Sequence, residues 1–382
     1  MENFRCLVVS YSLPIRATGT PVVIRNFLEN FKSDEIVLIG RPVKMNEKIS
    51  NYHVNYPIYV IPTPPVGTRM EKFWRLLSLI CGLFLGIYAI KKHKITNILT
   101  FYRDYSSLMT GYLLHKITKI PFSSYFCDLY SENYPIGFYS NLAKWLQPRI
   151  FRCSFKVFVL TEAMQEYYKE TYNLQTTVLP HCVNNFPKQK IILDDYKSPF
   201  RIGYLGDINI DRIFSIKLLC EAILNNEDYE LIYFTPKSDE FLIKENLLIP
   251  NSKRIYISNN EILLRELNSC DVLFLPVMQS QDHFERNPQV MTGFPTKTIE
   301  YLFASKPILI HGKKEYFISK FSERYKFSLI VEGGVKELFS ALETLKNDYM
   351  LRENLAYNTY KALKYFDGVR ISNLFRKEIS KN

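Results

Sequence analysis

The stretch of sequence that decides the fold begins with DVLFLP at residues 271–276 and continues, after a loop, with TGFPTKTIEYLFASKPILI at residues 292–310. Its two apolar runs are short and bounded by turn residues, which is typical of buried strands. Between them, Gly293 and Pro295 mark a turn, and a helical pattern starts near Thr296. The order strand, loop, helix, strand predicts a unit of a parallel α/β sheet.

The same alternation continues along the whole chain. A polar stretch at residues 180–190 divides it into two series of strand-like runs, each run followed by a helical pattern. The first series includes CLVVSY (6–11), ITNILT (95–100) and VFVL (157–160), and the second includes FRIGYLG (200–206), LIYF (231–234) and RIYI (254–257). The sequence therefore predicts an α/β protein with two Rossmann-like domains, residues 1–190 and residues 191–364.

Ligand-binding residues are expected just after the strands, because open parallel sheets bind ligands beyond the carboxyl ends of their strands. After the first strand, Gly19 would let a phosphate or a sugar approach the backbone closely. The helix that starts near Thr296 directs free N–H groups and its dipole toward a bound diphosphate, and Lys297 adds a positive charge. Glu300 is placed to accept hydrogen bonds from two ribose hydroxyls, with an ordinary first-turn carboxylate as the alternative.

Residues 292–310 resemble the signature of the retaining glycosyltransferases of family 4, which have the GT-B fold. That signature has two Glu residues separated by seven positions, in the form EGFGxxxxEAM, followed by a GxPVI strand. This chain keeps the frame, but Thr292 stands in place of the first Glu. The resemblance implies two domains that face each other across a cleft holding a nucleoside-diphosphate sugar. It assigns donor binding to Phe294, Pro295, Thr296, Lys297 and, for the ribose, Glu300.

A second resemblance lies at residues 202–212, where family members carry a Gly-Arg pair and a Lys about five residues later that neutralise the donor diphosphate. Here Asp207 replaces the Arg, and Arg212 stands near the position of the Lys, with Lys217 as a fallback. Arg212 is therefore expected to bind the diphosphate. The pattern PxKxxEY at residues 295–301 resembles the one found in family members that make bacterial surface polysaccharides.

Two acidic residues of the first domain are the acceptor-side candidates. FSSYFCDLYSENYP at residues 122–135 resembles a loop of membrane-associated family members that lies where donor and acceptor meet. The resemblance implies that Asp128 and Glu132 are the catalytic residues of the acceptor side. It also implies that the last helical stretch, residues 365–382, crosses back to the first domain.

The net charge of +11 lies entirely in the first half of the chain, where residues 1–190 hold 23 Lys/Arg against 12 Asp/Glu, while residues 191–382 hold 26 of each. Such a one-sided charge predicts a polyanionic partner, with a solvated basic face as the alternative. No helix-turn-helix, RNP-type or zinc pattern accompanies it, so nucleic acid is not the expected partner.

The segment KFWRLLSLICGLFLGIYAIKKHK at residues 72–94 favours a membrane as that partner. Only 15 residues lie between Arg75 and Lys91, fewer than the roughly 17 to 25 that span a bilayer. Trp74 and Tyr88 lie near its ends, where aromatic side chains meet headgroups. The segment predicts a helix at 73–92 embedded in the inner surface of the cell membrane, and hence a peripheral cytoplasmic protein. A helix buried against the first domain's sheet is the alternative.

The remaining features restrict the chemistry. The seven cysteines are scattered without a Cys-x-x-Cys pair, which indicates thiols in a reducing cytoplasm. No Asp-x-Asp occurs, so no metal and no cofactor beyond the nucleotide-sugar co-substrate are expected. The predicted reaction transfers a sugar, with retention, to a hydroxyl of a glycan or a lipid-linked glycan. Three alternatives stay open: a nucleotide-sugar 2-epimerase, a non-catalytic protein that binds sugar nucleotides, and a nucleic-acid-binding module.

Overall fold

The computed structural model describes residues 4–10, 12–14, 20–42, 54–63, 69–102, 104–134, 136–186, 198–257, 259–279 and 288–380. The chain forms two compact units. Unit 1 contains residues 1–184 and 366–382, and unit 2 contains residues 185–365. The boundary predicted near residue 190 falls within residues 187–197, outside the described part of the chain.

Unit 1 is built on a parallel sheet whose central strands are apolar and buried, as expected for a sheet that helices cover on both faces. Its strands are β1 (Cys6–Ser10), β2 (Ile36–Gly40), β3 (Ile58–Val60), β4 (Asn97–Tyr102), β5 (Phe122–Phe126), β6 (Lys156–Val159) and β7 (Thr177–Val178). Their order across the sheet is β3-β2-β1-β4-β5-β6-β7. The direction of the order reverses beside β1, which makes the carboxyl end of β1 a topological switch point.

Two helices of unit 1, which start at Tyr105 and Glu162, begin where a side chain caps a free N–H group. Asp104 Oδ1 accepts a hydrogen bond of 2.6 Å from the Ser106 N–H, and Thr161 Oγ1 accepts one of 3.1 Å from the Met164 N–H. Such caps satisfy donors that the helix itself leaves without an acceptor. The helices are α1 (Thr20–Leu28), α2 (Glu71–His93), α3 (Tyr105–Thr118), α4 (Phe138–Cys153) and α5 (Glu162–Tyr172).

Unit 2 repeats the architecture with a second parallel sheet, of order β10-β9-β8-β11-β12-β13 when its strands are numbered along the chain. The strands are β8 (Phe200–Leu205), β9 (Tyr229–Phe234), β10 (Ser252–Ile255), β11 (Val272–Pro276), β12 (Ile308–His311) and β13 (Ser328–Val331). The order reverses between β8 and β11, so the switch point lies at their carboxyl ends. The helices are α6 (Ile210–Ile223), α7 (Asp239–Lys244), α8 (Asn260–Asn268), α9 (Pro288–Thr292), α10 (Lys297–Ala304), α11 (Phe317–Tyr325), α12 (Val335–Asn347) and α13 (Tyr349–Leu363).

The last helix, α14 (Gly368–Ile379), belongs to unit 1. Phe375 is buried on it, with its ring centroid 5.2 Å from that of Phe27 on α1. Arg376 Nη2 lies 2.8 Å from Glu35 Oε2, just before β2. Aromatic packing and an ion pair therefore join the end of the chain to its beginning.

Candidate functional site

The switch point of unit 2 is shaped by Gly206, the residue that follows β8. Its φ of +133° lies in a region that side chains other than glycine rarely adopt. A Cβ placed on it would lie 3.7 Å from Lys297 Cε and 3.7 Å from Tyr204 Oη. The side chain of Lys297, from the first turn of α10, therefore reaches the turn that follows β8.

Tyr301 joins α10 to the two strands of the switch point. Its buried hydroxyl accepts a hydrogen bond of 2.8 Å from the Leu205 N–H of β8 and donates one of 2.9 Å to the Phe274 carbonyl of β11. These bonds hold α10 at a defined position beside both strand ends, and Lys297 and Glu300 are carried with it. Sequence reasoning did not single out Tyr301, because its role depends on contacts that are distant in sequence.

Arg212, in the first turn of α6, lies beside the same strand end. Burial raises the pKa of both Tyr204 and Tyr301, and the positive charge of Arg212 opposes that rise in each case. Such an effect requires the guanidinium to be near both hydroxyls. The structure thus brings Arg212, Lys297 and Glu300, three residues predicted from the sequence, to the carboxyl end of β8.

Lys297 and Glu300 form an ion pair of 3.3 Å between Nζ and Oε1. The second carboxylate oxygen, Glu300 Oε2, is buried and has no hydrogen-bond partner within the described residues. A buried carboxylate oxygen of this kind is costly unless a ligand supplies a donor. Glu300 is therefore suited to accept a hydrogen bond from a hydroxyl group of a bound molecule.

The three residues before α10 differ in how far they are buried. Phe294 is 7% exposed and packs against Phe317 and Phe321, with centroid distances of 6.4 and 5.5 Å. Any contact of Phe294 with a donor would therefore have to use its backbone. Pro295 accepts a hydrogen bond of 2.9 Å from the Thr298 N–H, which starts the helix. Donor contacts of Pro295 and Thr296, which are both half-buried, stay predictions.

The two positions that depart from the family signature have different surroundings. Thr292 is buried, and its hydroxyl donates a hydrogen bond of 2.8 Å to the Pro288 carbonyl within α9. Asp207 is exposed, and its carboxylate lies 3.2 Å from Lys237 Nζ. Lys237 follows β9, the neighbour of β8, and sequence reasoning missed it. The available signal was its position three residues after a strand-like run, at the edge where ligands bind.

The acceptor-side candidates of unit 1 lie on the connection that follows β5. Burial, and after it the nearby Tyr134 and Asp128, raise the pKa of Tyr102 well above its usual range, which places Asp128 near the carboxyl end of β4. Glu132 Oε1 accepts hydrogen bonds from Tyr172 Oη at 2.5 Å and Tyr167 Oη at 3.3 Å. Burial and the bond to Glu132 raise the pKa of Tyr172 to about 12. Glu132 thus contacts α5 through Oε1, and the acceptor-side roles of Asp128 and Glu132 stay predictions.

Two further expectations concern Gly19 and the absence of a metal requirement. Gly19 lies within residues 15–19, outside the described part of the chain. Among the residues that the structure describes, no cluster of three or more His, Cys, Asp or Glu side chains could hold a metal ion. Metal independence stays a prediction.

No protein-family model matches the chain, and no curated protein matches it at a significant level. Solved structures do. The sucrose-phosphate synthase of Thermosynechococcus elongatus superposes with a TM-score of 0.73 over 99% of this chain and 100% of the other, at 14% identity. The chain has the GT-B fold. Anabaena HepE in complex with UDP gives a TM-score of 0.70 at 14% identity, again over 99% of this chain and 100% of the other.

A third GT-B structure, the UDP-forming α,α-trehalose-phosphate synthase of Burkholderia vietnamiensis, matches with a TM-score of 0.68 and 11% identity over 99% of this chain and 100% of the other. The predicted α/β class and the GT-B fold are thereby confirmed. At such low identity the similarity establishes the fold alone. Arg212 and Lys297 place positive charge at the carboxyl end of β8, and Lys237 lies beside Asp207, which follows that strand.

Proposed function

We propose that the protein is a retaining glycosyltransferase that moves a sugar from a UDP-sugar to a hydroxyl of a glycan or a lipid-linked glycan. The observation that carries the proposal is the meeting of Arg212, Lys297 and Glu300 at the switch point of unit 2. Uridine as the base is supported by HepE, which has been solved with UDP and with UDP-glucose. The two synthases that share the fold support transfer as the reaction class.

Each residue of this site has a role that its surroundings permit. Lys297 and Arg212 would neutralise the diphosphate, and the N-terminus of α10 would add its backbone dipole. Glu300 Oε2 would accept a hydrogen bond from the ribose, which satisfies the buried oxygen. Because negative charge accumulates on the diphosphate as the bond to the sugar breaks, positive groups fixed before the reaction lower its barrier most.

In the proposed reaction, the bond between the anomeric carbon and the diphosphate oxygen breaks, and a bond to the acceptor oxygen forms on the same face. The acceptor proton passes to the departing phosphate oxygen, so that no separate protein base is required. Asp128 would orient the acceptor hydroxyl by accepting its hydrogen bond. Lys297 and Arg212 take over the stabilisation that a divalent metal gives elsewhere.

The acceptor belongs, in this proposal, to bacterial surface polysaccharide synthesis at the inner face of the cell membrane. The PxKxxEY pattern of residues 295–301 supports the pathway. The seven cysteines support the cytoplasm, since none of them, all within the described residues, forms a disulfide.

Thermal-shift screening against a panel of nucleotide sugars tests the donor, because a ligand that binds only the folded state raises the unfolding temperature. UDP and one UDP-sugar should raise it, and the same UDP-sugar should be consumed in the presence of an acceptor. Formation of an isomeric free sugar without acceptor would identify an epimerase instead. Binding with neither hydrolysis nor transfer for any nucleotide sugar would identify a non-catalytic protein.

A further inference from the structure

The helix α2 presents a continuous row of large apolar side chains to the outside of unit 1. Phe84, in the middle of the helix, is 71% exposed. The spacing of three and four residues places the whole row on one side of the helix. We call this row the α2 stripe, and it consists of Phe73, Leu76, Ile80, Phe84 and Tyr88.

The opposite side of α2 is made of small residues that pack closely on unit 1. Ser78 is 1% exposed and donates a hydrogen bond of 2.6 Å to the Pro62 carbonyl. Gly82 and Gly86 face α3, and a Cβ at Gly86 would lie 2.5 Å from Leu114 Cδ1. A helix of a soluble domain normally buries its large apolar residues and exposes its polar ones. On α2 the large residues at positions 73, 76, 80, 84 and 88 face outward, and Ser78, Gly82 and Gly86 make the inner contact, with Ile90 buried near the end of the helix.

By length and composition alone, Phe73–His93 could cross a membrane. Contacts near both ends, however, attach α2 sideways to unit 1. Arg75 Nη1 lies 2.8 Å from Asp104 Oδ2, and Tyr59 Oη lies 2.9 Å from His93 Nε2. Together with the packing on α3, they hold one whole side of the helix against protein. The free side can enter the boundary between headgroups and acyl chains, and the helix axis stays parallel to the membrane.

The charged residues of α2 and α3 complement an anionic surface. From residue 72 to residue 127 the only acidic residue is Asp104, which is buried and bonded to Arg41 and Arg75. The C-termini of α2 and α3 lie at the same edge of the sheet, because β4 and β5 follow them in parallel. The basic residues gathered at this edge are Lys91, Lys92, Lys94, Lys116 and Lys119.

We infer that α2 lies in the interface of an anionic lipid bilayer, with the α2 stripe among the acyl chains and the lysines at the ends of α2 and α3 on lipid phosphates. Cationic groups beside an apolar row bind such a surface by charge and by burial together. The inference deepens the proposed function, on which its biological meaning rests, by naming the surface that would meet a lipid-linked acceptor. Arg75 bonds Asp104, which follows β4, so the N-terminal part of α2 lies at the carboxyl edge of the sheet, near Asp128.

Sedimentation with vesicles tests the inference on the full chain. Wild type should bind phosphatidylcholine vesicles that contain phosphatidylglycerol, and bind pure phosphatidylcholine much more weakly. The double variant Ile80→Ser/Phe84→Ser should bind at least tenfold more weakly. The matched control, Ile243→Ser/Met350→Ser, changes two similarly exposed apolar residues of unit 2 and should bind like wild type. A wild-type protein that stays in the supernatant with both lipids would overturn the inference.

A second copy of the chain is the competing occupant, and light scattering distinguishes it. A wild-type dimer that Ile80→Ser/Phe84→Ser converts to a monomer, without vesicle binding, would assign the stripe to self-association. The charge variant Lys91→Glu/Lys92→Glu leaves the stripe intact. It should bind the anionic vesicles more weakly than wild type, and its remaining binding should depend less on salt; unchanged binding would contradict the role of the lysines.

A tryptophan at position 84 reports the depth of the helix. The chain has two Trp residues, so Phe84→Trp in a Trp74→Phe/Trp145→Phe background carries a single one. Lipids brominated near the headgroup should quench its fluorescence more than lipids brominated near the chain end. The reverse order would show a spanning helix.

Binding of UDP to the same variants separates this inference from the proposed function. A protein that binds vesicles but no nucleotide would overturn the proposed function and leave the inference standing. A protein that binds UDP but no vesicles would overturn the inference alone. Equal shifts of the unfolding temperature by UDP in wild type and in Ile80→Ser/Phe84→Ser would show that the substitutions leave the fold intact.

Discussion

Lys297 Nζ lies 3.3 Å from Glu300 Oε1, one helical turn further along α10, and both side chains are mostly buried at the end of β8. The cation proposed for the diphosphate is thus held in place by the carboxylate proposed for the ribose. Because each charge compensates the other, the site can keep both before the donor arrives. The two residues consequently predict different losses when they are removed separately.

Replacing Lys297 by Met should weaken UDP binding roughly 10- to 100-fold, which corresponds to about 1.5–3 kcal/mol for a lost hydrogen bond to a charged group. Titration calorimetry with UDP measures the effect. Lys253→Met is the matched control, because Lys253 is an exposed lysine of unit 2 paired with Glu230. Equal affinities for Lys297→Met and wild type would remove Lys297 from the donor site.

Replacing Glu300 by Ala should abolish discrimination between UDP and its 2′,3′-dideoxy analogue. Wild type should prefer UDP by roughly tenfold, since a hydrogen bond to the carboxylate contributes about 1.5 kcal/mol. The variant should bind both ligands with similar, reduced affinity. Competition titrations of the two ligands provide the measurement, and a variant that keeps the wild-type preference would contradict the ribose assignment.

Replacing Asp207 by Asn should strengthen UDP binding a few-fold. The carboxylate lies 3.2 Å from Lys237 Nζ and adds negative charge where the diphosphate is expected. Exposed ion pairs are worth only about 0.2–1 kcal/mol, so the gain is small and should fade at high salt. Lys237→Met should weaken binding instead. Titrations at low and high ionic strength check both variants, and weaker binding by Asp207→Asn would refute the argument.

Much of this site could be predicted from the sequence, because the topology of a parallel sheet determines where the residues after each strand lie. Residues that follow the strands of one parallel sheet meet at one edge, so Arg212 and Lys297 converge although 85 positions separate them. Lys237 could not be assigned to Asp207 in the same way, since their contact depends on β8 and β9 being neighbours. Phe294 lies within a recognised motif, yet its ring packs on Phe317 and Phe321, which a local pattern does not reveal.

For the helix α2, too, the sequence predicted one part of the arrangement and the structure was needed for the other. Its apolar composition predicted a membrane-surface helix or a buried one. Only the structure shows which side faces the protein, because Gly82 and Gly86 can be recognised as the packed side only once α3 lies against them. Hydrophobic periodicity predicts which side of a helix faces the core when polar residues occupy the opposite side. Because α2 has few polar residues, its sequence does not reveal the buried side.

Chelation should leave donor binding and turnover unchanged. In the proposed reaction, Lys297, Arg212 and the N-terminus of α10 would supply the positive field that the leaving diphosphate requires. The measurement is the UDP affinity and the transfer rate before and after exhaustive treatment with EDTA, with a magnesium titration as the reverse test. A rate that falls to background with EDTA and recovers with magnesium would show that the protein groups are insufficient.

Acidification should destabilise unit 1 through His181. Burial lowers the pKa of His181 from 6.5 to about 4, so the imidazole is neutral in the folded chain. Between these two values the unfolded chain binds a proton that the folded chain does not, and stability therefore falls as the pH decreases from 6.5 toward 4. From pH 7 to pH 5 the loss of unfolding free energy from this residue is about 2 kcal/mol.

Urea unfolding at both pH values should show this loss as a difference between wild type and His181→Gln, whose stability changes with pH only through other groups. A lower stability of the variant at pH 7 does not affect the comparison, since the test is the change of unfolding free energy with pH. Parallel slopes for the two proteins would show that His181 is protonated as readily in the folded chain as in the unfolded one.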